Sequence, residues 1–144
     1  MDGINYKQIS KSLNPNKNRD QIFSSGEASG ASGSFFFFSH DKRFIVKTMT
    51  QEELELIQKI LPNIYLHLKD NPNSMLARIY GVYRVSMKNY DPVNLILMGN
   101  TLKFRKKEHI FRIYDLKGSR VARNVNTTNA KPTTTLKDLN FFYN

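Results

Sequence analysis

Three short stretches of this sequence place cations, hydroxyls and flexible backbone where phosphate chemistry could use them. The first is Gly30-Ala31-Ser32-Gly33-Ser34, directly ahead of the apolar run Phe35–Phe38. Because a strand follows it, and not a helix, the loop does not fit phosphate-binding turns that need a helix behind them. It suits a β-hairpin lid, in which glycine lets backbone N–H groups approach phosphates and Ser32 and Ser34 add hydroxyl donors. Taken alone, such a loop is more often a simple connection. The second stretch is Phe44-Ile45-Val46-Lys47-Thr48-Met49, an apolar strand interrupted by one lysine. Burying an unpaired ammonium is costly, so a lysine here marks an edge position or a functional one. A strand lysine that grips nucleotide phosphates takes a glutamate from the next helix as its partner. Glu52, Glu53 and Glu55 are available, and Glu53 is the choice because it lies near the helix start beside Leu54. Its alternative role is only to close a capping box. The third stretch, Asp115-Leu116-Lys117-Gly118-Ser119, puts a lysine between an acid and a glycine at a strand end. Such a lysine can neutralise charge on transferring phosphates, although the same residues also read as an ordinary turn.

The elements that must hold these residues are legible to different degrees. Residues 1–21 read as a short helix or irregular polar lead-in with little core, turning at Asn14-Pro15-Asn16. Residues 24–34 form a small-residue loop. Phe35–Ser39 and Phe44–Met49 predict a β-hairpin. Thr50 then caps a helix, with Glu53 completing the capping-box pattern. Leu54, Ile57, Leu61, Ile64 and Leu68 give that helix a core-facing stripe. Pro62 is expected to interrupt or restart it, because proline cannot donate a backbone hydrogen bond, and Asn71-Pro72-Asn73 ends it. Further strands are expected near Ala77–Ser86, Val93–Met98 and His109–Tyr114, with a polar, irregular tail after Ser119. This order predicts an α+β unit, an antiparallel sheet with a helix packed on one face. The small lobe of kinase-like folds has the same order.

Composition narrows the class further. At 144 residues, 40% hydrophobic and 24% charged, the chain suits one soluble globular domain. No signal-peptide pattern and no apolar run of spanning length stands out. The chain has no cysteine, and His40, His67 and His109 lack metal-ligand spacing, so an intracellular domain without a structural metal is expected. Lys and Arg number 22 against 12 Asp and Glu, a net charge of +10. That excess attracts polyanions, but an ordinary solvated face explains it equally well. The run Lys103-Phe104-Arg105-Lys106-Lys107 is the densest basic cluster, or merely a hairpin tip. No nucleic-acid-binding motif accompanies it, and no nucleic-acid partner is expected.

In order and spacing, Gly30–Phe36, Phe44–Thr48 and Asp115–Ser119 closely resemble the phosphatidylinositol phosphate kinases. The intervening segments Leu61-Pro62, Asn71–Leu76, Tyr80–Tyr83 and Met98-Gly99-Asn100 share the resemblance, which runs from about Gly3 to Leu136-Lys137-Asp138-Leu139. Asp115–Ser119 is the segment most specific to the family. The resemblance implies an N-lobe-like fold, with residues 1–21 as a partial N-terminal region and 22–144 as an incomplete kinase core. It implies that Gly30, Ser32, Gly33, Ser34, Lys47 and Glu53 belong to the ATP site, and that Met98 and Asn100 lie at the hinge facing adenine. Lys117 would act near the transferring phosphate, positioned by Asp115 and Gly118. The implied partners are ATP, Mg²⁺, a phosphoinositide substrate and an anionic membrane surface, with a cytoplasmic, peripherally membrane-bound location and a dimer of the parent protein. The wording of Phe35–Ser39 and Ile45–Thr48 leans towards 5-kinases. The family's Met-Asp-Tyr-Ser-Leu and Ile-Ile-Asp segments, which carry the catalytic and metal-binding aspartates, do not occur. A piece of a kinase domain, inactive alone, is therefore expected, with a truncated non-catalytic module as the alternative.

Overall fold

A computed structural model describes residues 3–19, 34–104 and 110–143. The described residues fall into two compact units, 1–103 and 104–144. The first opens with helix α1 (Tyr6–Ser12), followed by strands β1 (Phe36–Phe38) and β2 (Phe44–Met49). Helix α2 (Gln51–Asp70) and strands β3 (Ile79–Met87) and β4 (Tyr90–Gly99) complete it. The four strands form one sheet in the order β1-β2-β4-β3, antiparallel at every pairing. This is the α+β arrangement expected, an antiparallel sheet with a packed helix, like the small lobe of kinase-like folds.

Register follows from the hydrophobic pattern. Lys47 sits opposite Phe36 on one side and Ile96 on the other, which places it near the middle of the sheet. β4 runs between two partners; its Ile96 and Leu97 are buried, as are Phe44 of β2 and Leu54 of α2. The Phe44 ring meets Tyr80 edge-on, with centroids 5.3 Å apart. Pro92 has no N–H to give a ladder, and it falls where the β3–β4 register shifts, beyond the part of β4 that pairs with β2.

Helix α2 starts at the Thr50 cap as expected, and its stripe of Leu54, Ile57, Leu61, Ile64 and Leu68 is buried or half-buried. It differs at Pro62, which lies inside the helix and does not divide it. One missing N–H costs a single rung, and the stripe on both sides keeps the helix continuous.

The polar lead-in is more firmly built than its composition suggests. Ser12 and Asn18 are buried, and Ser12 Oγ donates to Asp41 at 2.7 Å. Asn18 donates to the Ser12 and Asn14 carbonyls and accepts from His40 N–H at 2.7 Å. His40 Nδ1 lies 2.8 Å from the Ser12 carbonyl, so that nitrogen carries the proton. These bonds tie the lead-in to the β1–β2 turn. The turn itself closes through Ser39 and Asp41, with Lys42 in the left-handed region at φ 58°. Burial opposes ionisation of Asp41, but bonds from Ser12, Ser39 and Arg43 N–H outweigh it and hold the carboxyl below its ordinary range.

The second unit departs most from expectation. Of the strand expected over His109–Tyr114, His109 lies outside the described residues, residues 110–112 are not strand, and β5 spans Ile113–Asp115. Its partner is β6 (Thr135–Lys137), in a region read as irregular, and the two pair in parallel. Helix α3 (Asp138–Phe142) follows at once. Such short elements carry too few residues for a period to show, and tertiary bonds decide them. Among the described residues, no helix is long and apolar enough to cross a membrane.

Phe44 is fully buried, so Phe44→Ala should destabilise the first unit by about 3–5 kcal/mol in urea unfolding. A loss under about 1 kcal/mol would mean that the sheet is not centred on this ring.

Candidate functional site

The site is built around Lys47. Alternation along β2 carries its side chain to the side on which α2 packs, where Asn94 of β4 also reaches Gln51 of α2. There its ammonium donates to Glu53 Oε1 at 2.8 Å. The lysine side chain is 20% exposed and that of the glutamate 39%, so the pair is partly screened. The ammonium also lies 6.0 Å from the ring centroid of Phe36, its cross-strand neighbour.

Glu53 combines the two roles between which the sequence left a choice. While Oε1 holds Lys47, Oε2 accepts the Thr50 N–H at 3.0 Å, and Thr50 Oγ1 accepts the Glu53 N–H at 3.2 Å. The capping box therefore locks the glutamate that holds the lysine. The Lys47 bond and the Thr50 N–H keep the Glu53 carboxyl below its ordinary range. Glu52 and Glu55 point elsewhere in the bonding pattern: Glu55 accepts from Gln51 at 2.9 Å along the helix.

Of the expected loop, Gly30, Ser32 and Gly33 lie outside the described residues. Ser34 is buried at 6% exposure, and Phe35 is anchored to Thr48 by bonds in both directions. At the expected hinge, Met98 lies in β4 opposite Ile45 and Ile79. Asn100 is committed within the chain: its N–H donates to Arg43 O, its amide to Lys42 O at 2.8 Å, and its Oδ1 accepts from Leu102 N–H at 3.0 Å. It therefore pins the segment after β4 to the β1–β2 turn.

In the second unit, Lys117 and Gly118 leave β5 in a tight loop, with Gly118 at φ 68°. That conformation is cheap for glycine and costs other residues about 1–2 kcal/mol. Both N–H groups converge on Oδ1 of Asp138, at 2.9 and 2.8 Å. The other Asp138 oxygen accepts from Arg123 Nε at 2.7 Å. Arg123 also bonds the Asp115 carbonyl and lies 3.3 Å from the Asp115 carboxylate. Asp115 thus supports the loop through Arg123, and the residue that grips Lys117 and Gly118 is Asp138. Its side chain is buried, and Arg123, aided by the two N–H groups and opposed by burial, holds its carboxyl far below the usual range. Asp138 is the site residue that the sequence reading did not single out. Its signal was weak: an acid just after a short β-prone stretch in a basic chain. The Lys117 side chain is exposed, and no carboxylate among the described residues pairs with its ammonium.

A sequence model of the phosphatidylinositol-4-phosphate 5-kinase family matches residues 17–144. The chain is 42% identical over 115 residues to phosphatidylinositol 4-phosphate 5-kinase type-1 alpha of Homo sapiens, covering 79% of this chain and 20% of that protein. It is 40% identical over 114 residues to phosphatidylinositol 4-phosphate 5-kinase 7 of Arabidopsis thaliana, covering 79% and 15%. To phosphatidylinositol 4-phosphate 5-kinase 1 of Oryza sativa subsp. japonica it is 37% identical over 123 residues, covering 79% and 15%. The chain thus spans a fifth or less of the length of these relatives.

Two predictions follow from this geometry. Glu53→Gln keeps a capping-box side chain but removes the charge facing Lys47, so it should cost less than about 1 kcal/mol. Glu53→Ala loses the cap as well and should cost about 1 kcal/mol more; equal losses in thermal unfolding would deny Glu53 its double role. Because the Asp138 pKa is lower folded than unfolded, its stabilisation is complete above about pH 4 and is lost as pH falls further. Amide proton shifts of Lys117 and Gly118 should therefore move only below about pH 4, and a midpoint above that would exclude the clamp.

Proposed function

The chain belongs to the phosphatidylinositol-4-phosphate 5-kinase family, and we propose that it supplies the ATP-binding part of a lipid kinase. The complete protein transfers the γ-phosphoryl group of ATP to the inositol ring of a phosphatidylinositol monophosphate, at position 5 of the 4-phosphate. The observation that carries this reading is the Lys47–Glu53 pair between the second strand and its following helix. An ammonium has three N–H donors, and Glu53 takes one of them. The others face no acceptor among the described residues and serve phosphate oxygens. Glu53, ionised at neutral pH, aims the ammonium through its 2.8 Å bond.

Lys117, a cation on a loop with a fixed backbone, stabilises charge on the phosphoryl group in transfer. Asn100 and Met98 set the course of the segment that faces adenine, and Gly30–Ser34 covers the phosphates. Such transfer uses a divalent cation to neutralise phosphate charge. The net charge of +10 favours an anionic membrane surface, where the lipid substrate resides, and a cytoplasmic site of action.

In the complete protein, Lys47→Met should lower phosphorylation of phosphatidylinositol 4-phosphate vesicles by at least about a hundredfold. A fully active variant would refute the assignment. Nucleotide binding without any phosphoryl transfer by the unaltered complete protein would favour a non-catalytic module.

A further inference from the structure

The geometry points to Asp138 as a positioning residue for Lys117, holding the Lys117 loop in the shape that phosphoryl transfer requires. The inference rests on the proposed role of Lys117 and adds a residue to it. Two successive N–H groups aimed at one anionic oxygen form a small anion nest. Here the chain fills that nest with its own carboxylate, 2.9 Å from Lys117 N and 2.8 Å from Gly118 N. The carboxylate lies across the loop from Arg123, which takes the second oxygen at 2.7 Å and braces the end of β5 through the Asp115 carbonyl. One buried group thus fixes where the Lys117 backbone leaves the strand, and so the arc over which its exposed side chain swings.

The chemistry of the clamp demands a carboxylate of this length. It presents acceptors on both oxygens to three donors and has no donor of its own. An asparagine would turn its NH₂ either onto the two N–H groups or onto the guanidinium, leaving buried donors facing a donor. A glutamate would push the loop outward by one methylene. Asp138 itself is well anchored. Its helix neighbours bond the Arg123–Val125 segment: Leu139 N–H donates to Arg123 O at 2.9 Å, and Asn140 Oδ1 accepts from Val125 N–H at 2.9 Å. Displacing a reacting group by about 1 Å can cost about a hundredfold in rate, so a loosened clamp should appear in the chemical step.

The test uses the complete protein with ATP and phosphatidylinositol 4-phosphate vesicles, comparing Lys117→Met, Asp138→Asn, their combination and Leu136→Ala. Leu136 is a buried apolar residue of the same unit and reports simple loss of stability. Asp138→Asn should lower kcat by about tenfold to a hundredfold, with KM for ATP little changed. It should add nothing to Lys117→Met, because both act through one group. Leu136→Ala should keep its kcat at temperatures where it remains folded. Should Asp138→Asn not fold, Gly118→Ala strains the same nest at φ 68° with no side-chain clash, and should give the same Lys117-dependent loss. Full kcat in the folded clamp variants would overturn the inference. So would a loss that multiplies with Lys117→Met, or an equal loss in Leu136→Ala. An active Lys117→Met would remove the proposed role of Lys117, and the inference with it.

Discussion

A carboxylate cannot be taken out of water unless donors replace the water it loses, and this constraint organises the protein. Few apolar side chains are fully buried among the described residues: Phe44, Leu54, Ile96 and Leu97 in the first unit, and Leu136 in the second. Acids with multiple donors do much of the remaining work. Asp41 gathers Ser12, Ser39 and the Arg43 N–H, closing the β1–β2 turn onto α1. Glu53 joins the start of α2 to β2. Asp138 joins α3, the loop after β5 and Arg123. Each carboxyl is held below its ordinary pKa by its donors, so each stays charged, and its bonds stay in place, at neutral pH.

This arrangement explains how a lysine can sit within a sheet. Lys47 is flanked by Phe36 and Ile96 across the strands and would be costly there without a partner. Glu53 is in reach only because the helix begins at Thr50, one residue after β2 ends. The cap that starts the helix therefore also determines where its third residue points. Structure and charge placement thus share one side chain.

The second unit shows the same physics with less apolar support. β5 and β6 are three residues each, too short to stand alone. Asp138 and Asn140 bond back to residues 15 to 21 positions earlier. Asn140 saturates both ends of its amide, on Val125, Lys137 and Asn124. Residues 123–125, which look structureless, are thus held by polar bonds and not by a hydrophobic period.

What the sequence determined by itself was local or periodic. The Thr50–Glu53 cap, the stripe from Leu54 to Leu68, the β1–β2 hairpin and the Asp115–Ser119 segment all depend on residues a few positions apart. Their types therefore constrain them directly. The helix carrying Lys47's partner, and the choice of Glu53, were legible for that reason. Tertiary structure decided what depends on distant partners. It made Glu53 serve cap and lysine together, carried α2 through Pro62, buried Ser12 and Asn18 of the polar lead-in, and paired β5 with β6 in parallel. It also made Asp138 the keeper of the Lys117 loop. A hydrogen bond spanning some 20 residues leaves no period in the sequence; only the folded chain brings its donor and acceptor together.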